Sequence, residues 1–137
     1  MEVLLVDDDA ECAHITITAA RLADVGFNFN VVVDGHEAMN YLRRKENYRD
    51  ATRPELILLD LELPRKTGRE VLGEIQADNN LKTIPVVLLS SAQNFQELKA
   101  TYGLSNDCCR TKPAFIADYV LIMKSINASF LEKRLFH

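Results

Sequence analysis

The nine residues from Leu56 to Pro64, L-I-L-L-D-L-E-L-P, constrain this chain more than any others. Four consecutive aliphatic residues, followed at once by an aspartate and soon by a proline, suit a strand buried on both faces that surfaces at the carboxylate. Asp60 is thereby placed at a strand's C-terminal end. Ligands of open parallel α/β sheets bind outside those ends, so Asp60 is a candidate functional residue. On this run alone, plain turn chemistry competes with that reading, because Asp is a common turn and helix-capping residue. The other strand ends decide between them.

From the N-terminus, Glu2 to Val6 is a short aliphatic run ending on Asp7, Asp8 and Asp9. The period then turns helical over Ala10 to Val25, with Asp9 as cap, Ile15, Ala19 and Leu22 on one face, and Gly26 at the end. Phe29 to Val33 reads as a second strand stopping at Asp34-Gly35, and Glu37 to Lys45 as a second helix with Ala38, Tyr41 and Leu42 inward. After a charged connection come the Asp60 strand, a loop with Pro64 and Gly68, and a third helix over Arg69 to Asp78. Ile84 to Leu89 is another doubly buried strand, ending on Ser90 and Ser91. The pattern predicts a fourth helix over Gln93 to Tyr102, a short strand over Asp107 to Thr111 before Lys112-Pro113, and a long helix from Ala114 to about Arg134.

Five strands alternating with helices predict an α/β fold, a doubly wound five-stranded parallel sheet of flavodoxin-like order. Right-handed crossovers then bring every strand's C-terminal end to one rim. The size of 137 residues suits one domain and leaves no room for a second, separate one. A net charge of -4 gives no basic footprint for nucleic acid. No apolar run approaches the roughly 20 residues of a membrane helix, and the M-E-V-L-L-V start lacks a signal peptide's basic residues, so the expected compartment is the cytoplasm. Cys12, Cys108 and Cys109 have neither disulfide-framework nor zinc spacing. Glycine-rich nucleotide motifs are absent as well.

Asp7 and Asp8 from the first strand, Asp60 from the third, Ser90 from the fourth and Lys112 from the fifth therefore share a rim. Converging carboxylates repel unless a cation intervenes. Few hard oxygen ligands with room for water suit Mg²⁺. Asp7, Asp8 and Asp60 supply -3, which Mg²⁺ and Lys112 balance. In such a site Asp60 can act as nucleophile in a phosphoryl transfer and form an aspartyl phosphate.

V-D-D at Val6 to Asp8, the run to Asp60, P-x-x-x-G from Pro64 to Gly68, Ser90 after V-V-L-L, and Lys112-Pro113 together resemble a CheY-like response-regulator receiver domain. D-G-x-E-A from Asp34, R-P-E-L-I-L-L-D-L from Arg53, G-R-E-V-L-G-E-I from Gly68 and I-P-V-V-L-L-S-S from Ile84 are most similar to the single-domain regulators of bacterial phytochrome histidine kinases. The resemblance spans residues 1–137 as a single receiver domain with no output domain. It implies that Asp60 accepts a phosphoryl group from a kinase histidine, and that Asp8, Asp60 and the Glu62 carbonyl bind Mg²⁺, with Asp7 acting mostly through water. It further implies that Lys112 contacts the phosphoryl group through a segment with a cis Lys112–Pro113 bond, and that Ser90 moves to bond a phosphoryl oxygen and shifts the face of helix four, strand five and helix five. The protein would be a signalling phosphoacceptor rather than an enzyme, its only chemistry its own phosphorylation and dephosphorylation.

Three departures stand out, one of them Glu62, which puts another carboxylate near the attack line where small polar residues are frequent and can change the dephosphorylation rate in either direction. Cys109 occupies the position where receivers commonly carry Tyr or Phe, so the usual ring-mediated coupling has no side chain to run through. Arg110 is unusual within a strand and points to a sheet edge. In the last helix Phe115, Tyr119, Ile122, Ile126 and Phe130 form one apolar stripe, and Ile116, Val120 and Met123 an adjoining one. The second stripe, with Leu131, Leu135 and Phe136 beyond, is either a homodimer contact, as the resemblance implies, or part of a wide face packed against the sheet and first helix. Two other classes compete for the whole chain. A small phosphohydrolase of the HAD type needs a second Asp two residues after the nucleophile, where this chain has Glu62. A pseudo-receiver would keep the fold as a binding module without phosphorylation.

Overall fold

The computed structural model describes residues 1–91 and 95–136, with side chains as far as residue 130. Five strands, β1 (Glu2–Val6), β2 (Asn28–Val32), β3 (Leu56–Asp60), β4 (Val86–Ser90) and β5 (Cys109–Thr111), form one parallel sheet of order β2-β1-β3-β4-β5. The helices are α1 (Ala10–Leu22), α2 (Gly35–Arg43), α3 (Gly68–Ala77), α4 (Gln96–Tyr102) and α5 (Ile116–Phe136). This is the expected doubly wound, flavodoxin-like architecture, with the order of strands reversing between β1 and β3.

Strand side chains alternate between two faces, and here each face feeds its own core. Leu56 and Leu58 of β3, with Val3, Leu5, Val87 and Leu89, meet Ala19, Tyr119, Met123 and Ile126 of α1 and α5. Ile57 and Leu59, with Leu4, Val6, Val86 and Leu88, meet Ala38, Leu42, Leu72, Ile75 and Leu98 of α2, α3 and α4. Every residue of β3 and β4 is buried, which is why their sequences read as unbroken aliphatic runs.

Local chemistry sets the helix starts. Asp9 accepts hydrogen bonds from Glu11 N and Cys12 N, Asp34 from Glu37 N, and Thr67 and Glu70 form a reciprocal capping box. The left-handed Gly26 follows α1 after the short turn that closes it. Leu22 is a correction: it is 63% exposed, because α1 ends there and its buried face is carried by Ala13, Thr16, Ala19 and Ala20.

The α5 stripes are also redrawn. Met123 is fully buried beside Tyr119 and Ile126, and Val120, Ile122 and Phe130 pack partly against the same core, so residues of both expected stripes serve one wide inward face between sheet and α1. Phe115, Ile116 and Leu121 are left exposed. Gln93, the expected start of the fourth helix, and the side chains of Leu131, Leu135 and Phe136 lie outside the described residues. β5 is an edge strand, as Arg110 suggested; its guanidinium donates to Asp107 O and to Ser125 Oγ of α5.

Candidate functional site

Sheet register assembles the site. Val6 pairs with Leu59, so Asp7 follows β1 directly beside Asp60 at the end of β3. Asp60 pairs with Leu89 and Ser90 with Thr111, which places Ser90 and Lys112 next along the same rim. Lys112 Nζ donates to Asp60 Oδ2 at 2.9 Å and to Asp7 Oδ2 at 3.3 Å, joining residues of three strands. Asp60 Oδ1 accepts from Glu62 N at 3.0 Å, and Asp7 Oδ1 from Asp9 N at 2.9 Å. Both carboxylates are buried and held from two sides.

Burial alone would lower the pKa of Lys112. The hydrogen bond and charge of Asp60, with the charge of Asp7 behind it, overcome that effect and hold the ammonium above the ordinary lysine value. A group whose folded pKa is raised contributes stability below its unfolded value, here about 10.4, and loses it as the pH climbs through the folded value. Lys112 therefore stays charged and stabilising throughout the neutral range.

Asp8 differs from its neighbours. It is exposed and makes no hydrogen bond or ion pair among the described residues. One oxygen from each of Asp7, Asp8 and Asp60 lies within 4.8 Å of the others. One lysine against three carboxylates leaves the cluster net negative, and an all-oxygen donor set of this kind fits a hard divalent cation such as Mg²⁺ or Mn²⁺. The Glu62 carboxylate is not among those three; its Oε1 accepts from Ser91 Oγ at 3.3 Å, while its backbone amide anchors Asp60. Ser90 is fully buried, and its carbonyl accepts from Lys112 N at 2.9 Å.

Here one expectation fails. The Lys112–Pro113 bond is trans. Trans is favoured by about 0.5–1 kcal/mol for an X–Pro bond unless tertiary contacts select the other isomer, and the backbone bond to Ser90 aligns Lys112 with β5 without it.

The sequence reading missed two neighbours. Tyr119 Oη lies 3.6 Å from Cys12 Sγ, and burial raises the pKa of both groups, with Lys112 and Asp7 close enough to act on them electrostatically. No local pattern could pair residues 107 positions apart. Cys109 is partly buried against the core that α2, α3 and α4 cover, and burial raises its thiol pKa too.

A parallel sheet with three carboxylates at its β1–β3 crossing, a partly buried lysine bridging two of them and a buried serine at the next strand end define a receiver, a signalling domain rather than a conventional enzyme. The chain belongs to the response regulator receiver domain family, whose model matches residues 3–124. It is 35% identical to the response regulator Rcp1 of Synechocystis sp. over 130 residues, covering 95% of this chain and 88% of that protein. The crystal structure of the Mn²⁺-bound form of Rcp1 superposes with a TM-score of 0.82, covering 96% of this chain and 94% of that one. The phosphorylated cyanobacterial phytochrome response regulator RcpA gives 0.84 at 41% identity with the same coverage, 96% and 94%. The bacteriophytochrome response regulator AtBRR gives 0.75 at 31% identity, covering 91% of each chain. No helix among the described residues is long and apolar enough to cross a membrane.

Proposed function

We propose that this receiver takes a phosphoryl group from a phytochrome-type histidine kinase onto Asp60, in the cytoplasm and with Mg²⁺, and passes the signal on by protein contact. The observation that carries this reading is the partly buried Lys112 ammonium 2.9 Å from a buried Asp60 carboxylate that shares a small space with Asp7 and Asp8. Asp60 forms the new oxygen–phosphorus bond as the phosphorus–nitrogen bond to the kinase histidine breaks, its electron pair leaving with the imidazole. Lys112 is within reach of a phosphoryl group on that carboxylate and offsets its added charge. Glu62 N holds the second Asp60 oxygen and so orients the nucleophile. Asp8, Asp60 and the Glu62 carbonyl would hold Mg²⁺, with Asp7 acting mostly through water, and the ion when bound would neutralise phosphoryl oxygens and carboxylates together. Ser90, at the end of β4, would bring a further hydroxyl to a phosphoryl oxygen. The phytochrome partner is supported by the similarity of this chain to RcpA, a cyanobacterial phytochrome response regulator, and to AtBRR, a bacteriophytochrome response regulator.

Incubation with a small-molecule phosphodonor and Mg²⁺, followed by intact mass measurement, tests the core of this reading. The parent acquires one labile phosphoryl adduct and the Asp60→Asn variant none. An adduct that survives the substitution, or no adduct on either protein, would demote the chain to a binding module that keeps the receiver fold.

The same reading includes a homodimer through the face of α4, β5 and α5, on which Leu121 is exposed one turn before the Ser125 that Arg110 holds. Sedimentation of the parent at high concentration should show dimer, and Leu121→Glu should shift it towards monomer. A parent that remains monomeric sinks this part alone.

A further inference from the structure

We infer that Gly35, the first residue of α2, and Asp34, its cap, are positioning residues for the acceptor loop, the segment Leu61–Thr67 that leads from Asp60 to α3. This rests on the reading above, in which the Glu62 carbonyl of that loop faces the metal.

The two segments meet without any room for a side chain. A Cβ on Gly35 would lie 2.0 Å from the Lys66 carbonyl oxygen and 2.7 Å from its carbon. Those are backbone atoms and cannot swing aside. Gly35 is not among the residues of positive φ, so its backbone conformation is open to any residue and close approach alone excludes one. Asp34 supplies the second fastening. Its buried carboxylate caps α2 through Glu37 N at 2.7 Å with one oxygen and meets Arg65 Nη1 at 3.4 Å with the other. Arg65 is held at φ +64, a left-handed conformation uncommon for a non-glycine residue. Lys66 is gripped from the far side as well, since its ammonium pairs with Glu74 of α3, which also receives Arg43 of α2 at 3.3 Å.

The loop's ends are equally constrained. At one end Glu62 N bonds Asp60 Oδ1; at the other Gly68 N bonds Leu61 O, with Gly68 so close that a Cβ would lie 2.2 Å from the Asp60 carbonyl oxygen. Leu61 and Leu63 are buried between. A short loop pinned at both ends and clamped at Arg65 and Lys66 has one shape, and that shape sets where the Glu62 carbonyl points. A displacement at Lys66 cannot be absorbed by fraying. It must move the backbone of residues 61–65 next to Asp60. Gly35 and Asp34 thus act on the acceptor site through the loop, touching neither Asp60 nor the carboxylates beside it.

The test uses the full chain with Gly35→Ala, Asp34→Asn and, as a remote control, Gly26→Ala, which strains a left-handed glycine with nothing within 4 Å of its Cβ position. Mg²⁺ affinity is measured by amide-resonance titration at a temperature where each protein is folded. Gly35→Ala should weaken Mg²⁺ binding by about tenfold or more, the scale on which outer-shell supports of a metal act, and should move the metal-free amide resonances of residues 61–67. Asp34→Asn keeps the cap acceptor, loses the charge on Arg65, and should weaken Mg²⁺ in the same direction by a smaller factor. Phosphoryl uptake in both should recover towards the parent rate at saturating Mg²⁺, a shift in metal dependence that mere loss of stability would not produce. Gly26→Ala should lower stability and leave Mg²⁺ affinity alone. Unchanged affinity in the folded Asp34→Asn and Gly35→Ala proteins overturns the inference, as does an equal loss in Gly26→Ala. Should Gly35→Ala fail to fold, Asp34→Asn decides by itself. A parent that binds no Mg²⁺ would instead overturn the metal reading on which this one stands.

Discussion

Lys112→Met should cost the metal-free protein about 3 kcal/mol, the scale of removing one partner from a buried ion pair, while tightening its hold on Mg²⁺. Lys112 is the cation bridging Asp7 and Asp60, and both carboxylates are buried. Without it, three carboxylate oxygens within 4.8 Å of one another face no compensating charge. The same loss removes the repulsion a divalent cation meets on arrival, which at a few ångströms is worth about tenfold or more in affinity. Added Mg²⁺ should therefore recover much of the stability, because a ligand that binds only the folded state stabilises it by mass action. Urea denaturation with chelator and with Mg²⁺ checks both halves. A variant as stable as the parent in chelator, or indifferent to Mg²⁺, would show that Lys112 is a solvated charge.

Asp8→Asn should separate binding from stability in the opposite way. Asp8 is exposed and unpartnered among the described residues, so its side chain contributes no hydrogen bond to lose. Removing its charge relieves repulsion with Asp7 and Asp60, and the metal-free fold should be as stable as the parent or more so. Mg²⁺ affinity should drop by about a hundredfold, since the cation loses both a ligand oxygen and a unit of charge. Calorimetric Mg²⁺ titration beside denaturation in chelator measures both. Parent-like Mg²⁺ binding in Asp8→Asn would remove it from the metal's ligand set.

Much of this architecture can be read from residue order because burial on both faces leaves a plain mark. β3 and β4 are enclosed by helices on either side, and only unbroken aliphatic runs satisfy that, so their ends at Asp60 and Ser90 stand out. Helix starts are legible for a different reason: Asp9, Asp34 and Thr67 satisfy backbone amides within three residues of themselves. Once parallel connections are assumed, the rim follows, and with it the meeting of Asp7, Asp8, Asp60 and Lys112.

α5 shows where residue order stops deciding. Apolar residues fall on most sides of that helix, so periodicity offers several seams of similar merit. Contact with α1 and the sheet selects Tyr119, Met123 and Ile126 and leaves Leu121 outside. Gly35 is a sharper case. The dipeptide Asp34-Gly35 reads locally as a turn, yet what forbids a side chain there is the carbonyl of Lys66, 31 residues on, a proximity that exists only after α2 and the acceptor loop have packed. The trans Lys112–Pro113 bond and the Cys12–Tyr119 contact belong to the same class. Strand burial, caps and the order of charges along the rim are encoded in short stretches, because each satisfies its own backbone or hides its own surface. Which face α5 turns inward and what clamps the acceptor loop depend on atoms far apart in the chain, and only the packed structure brings them together.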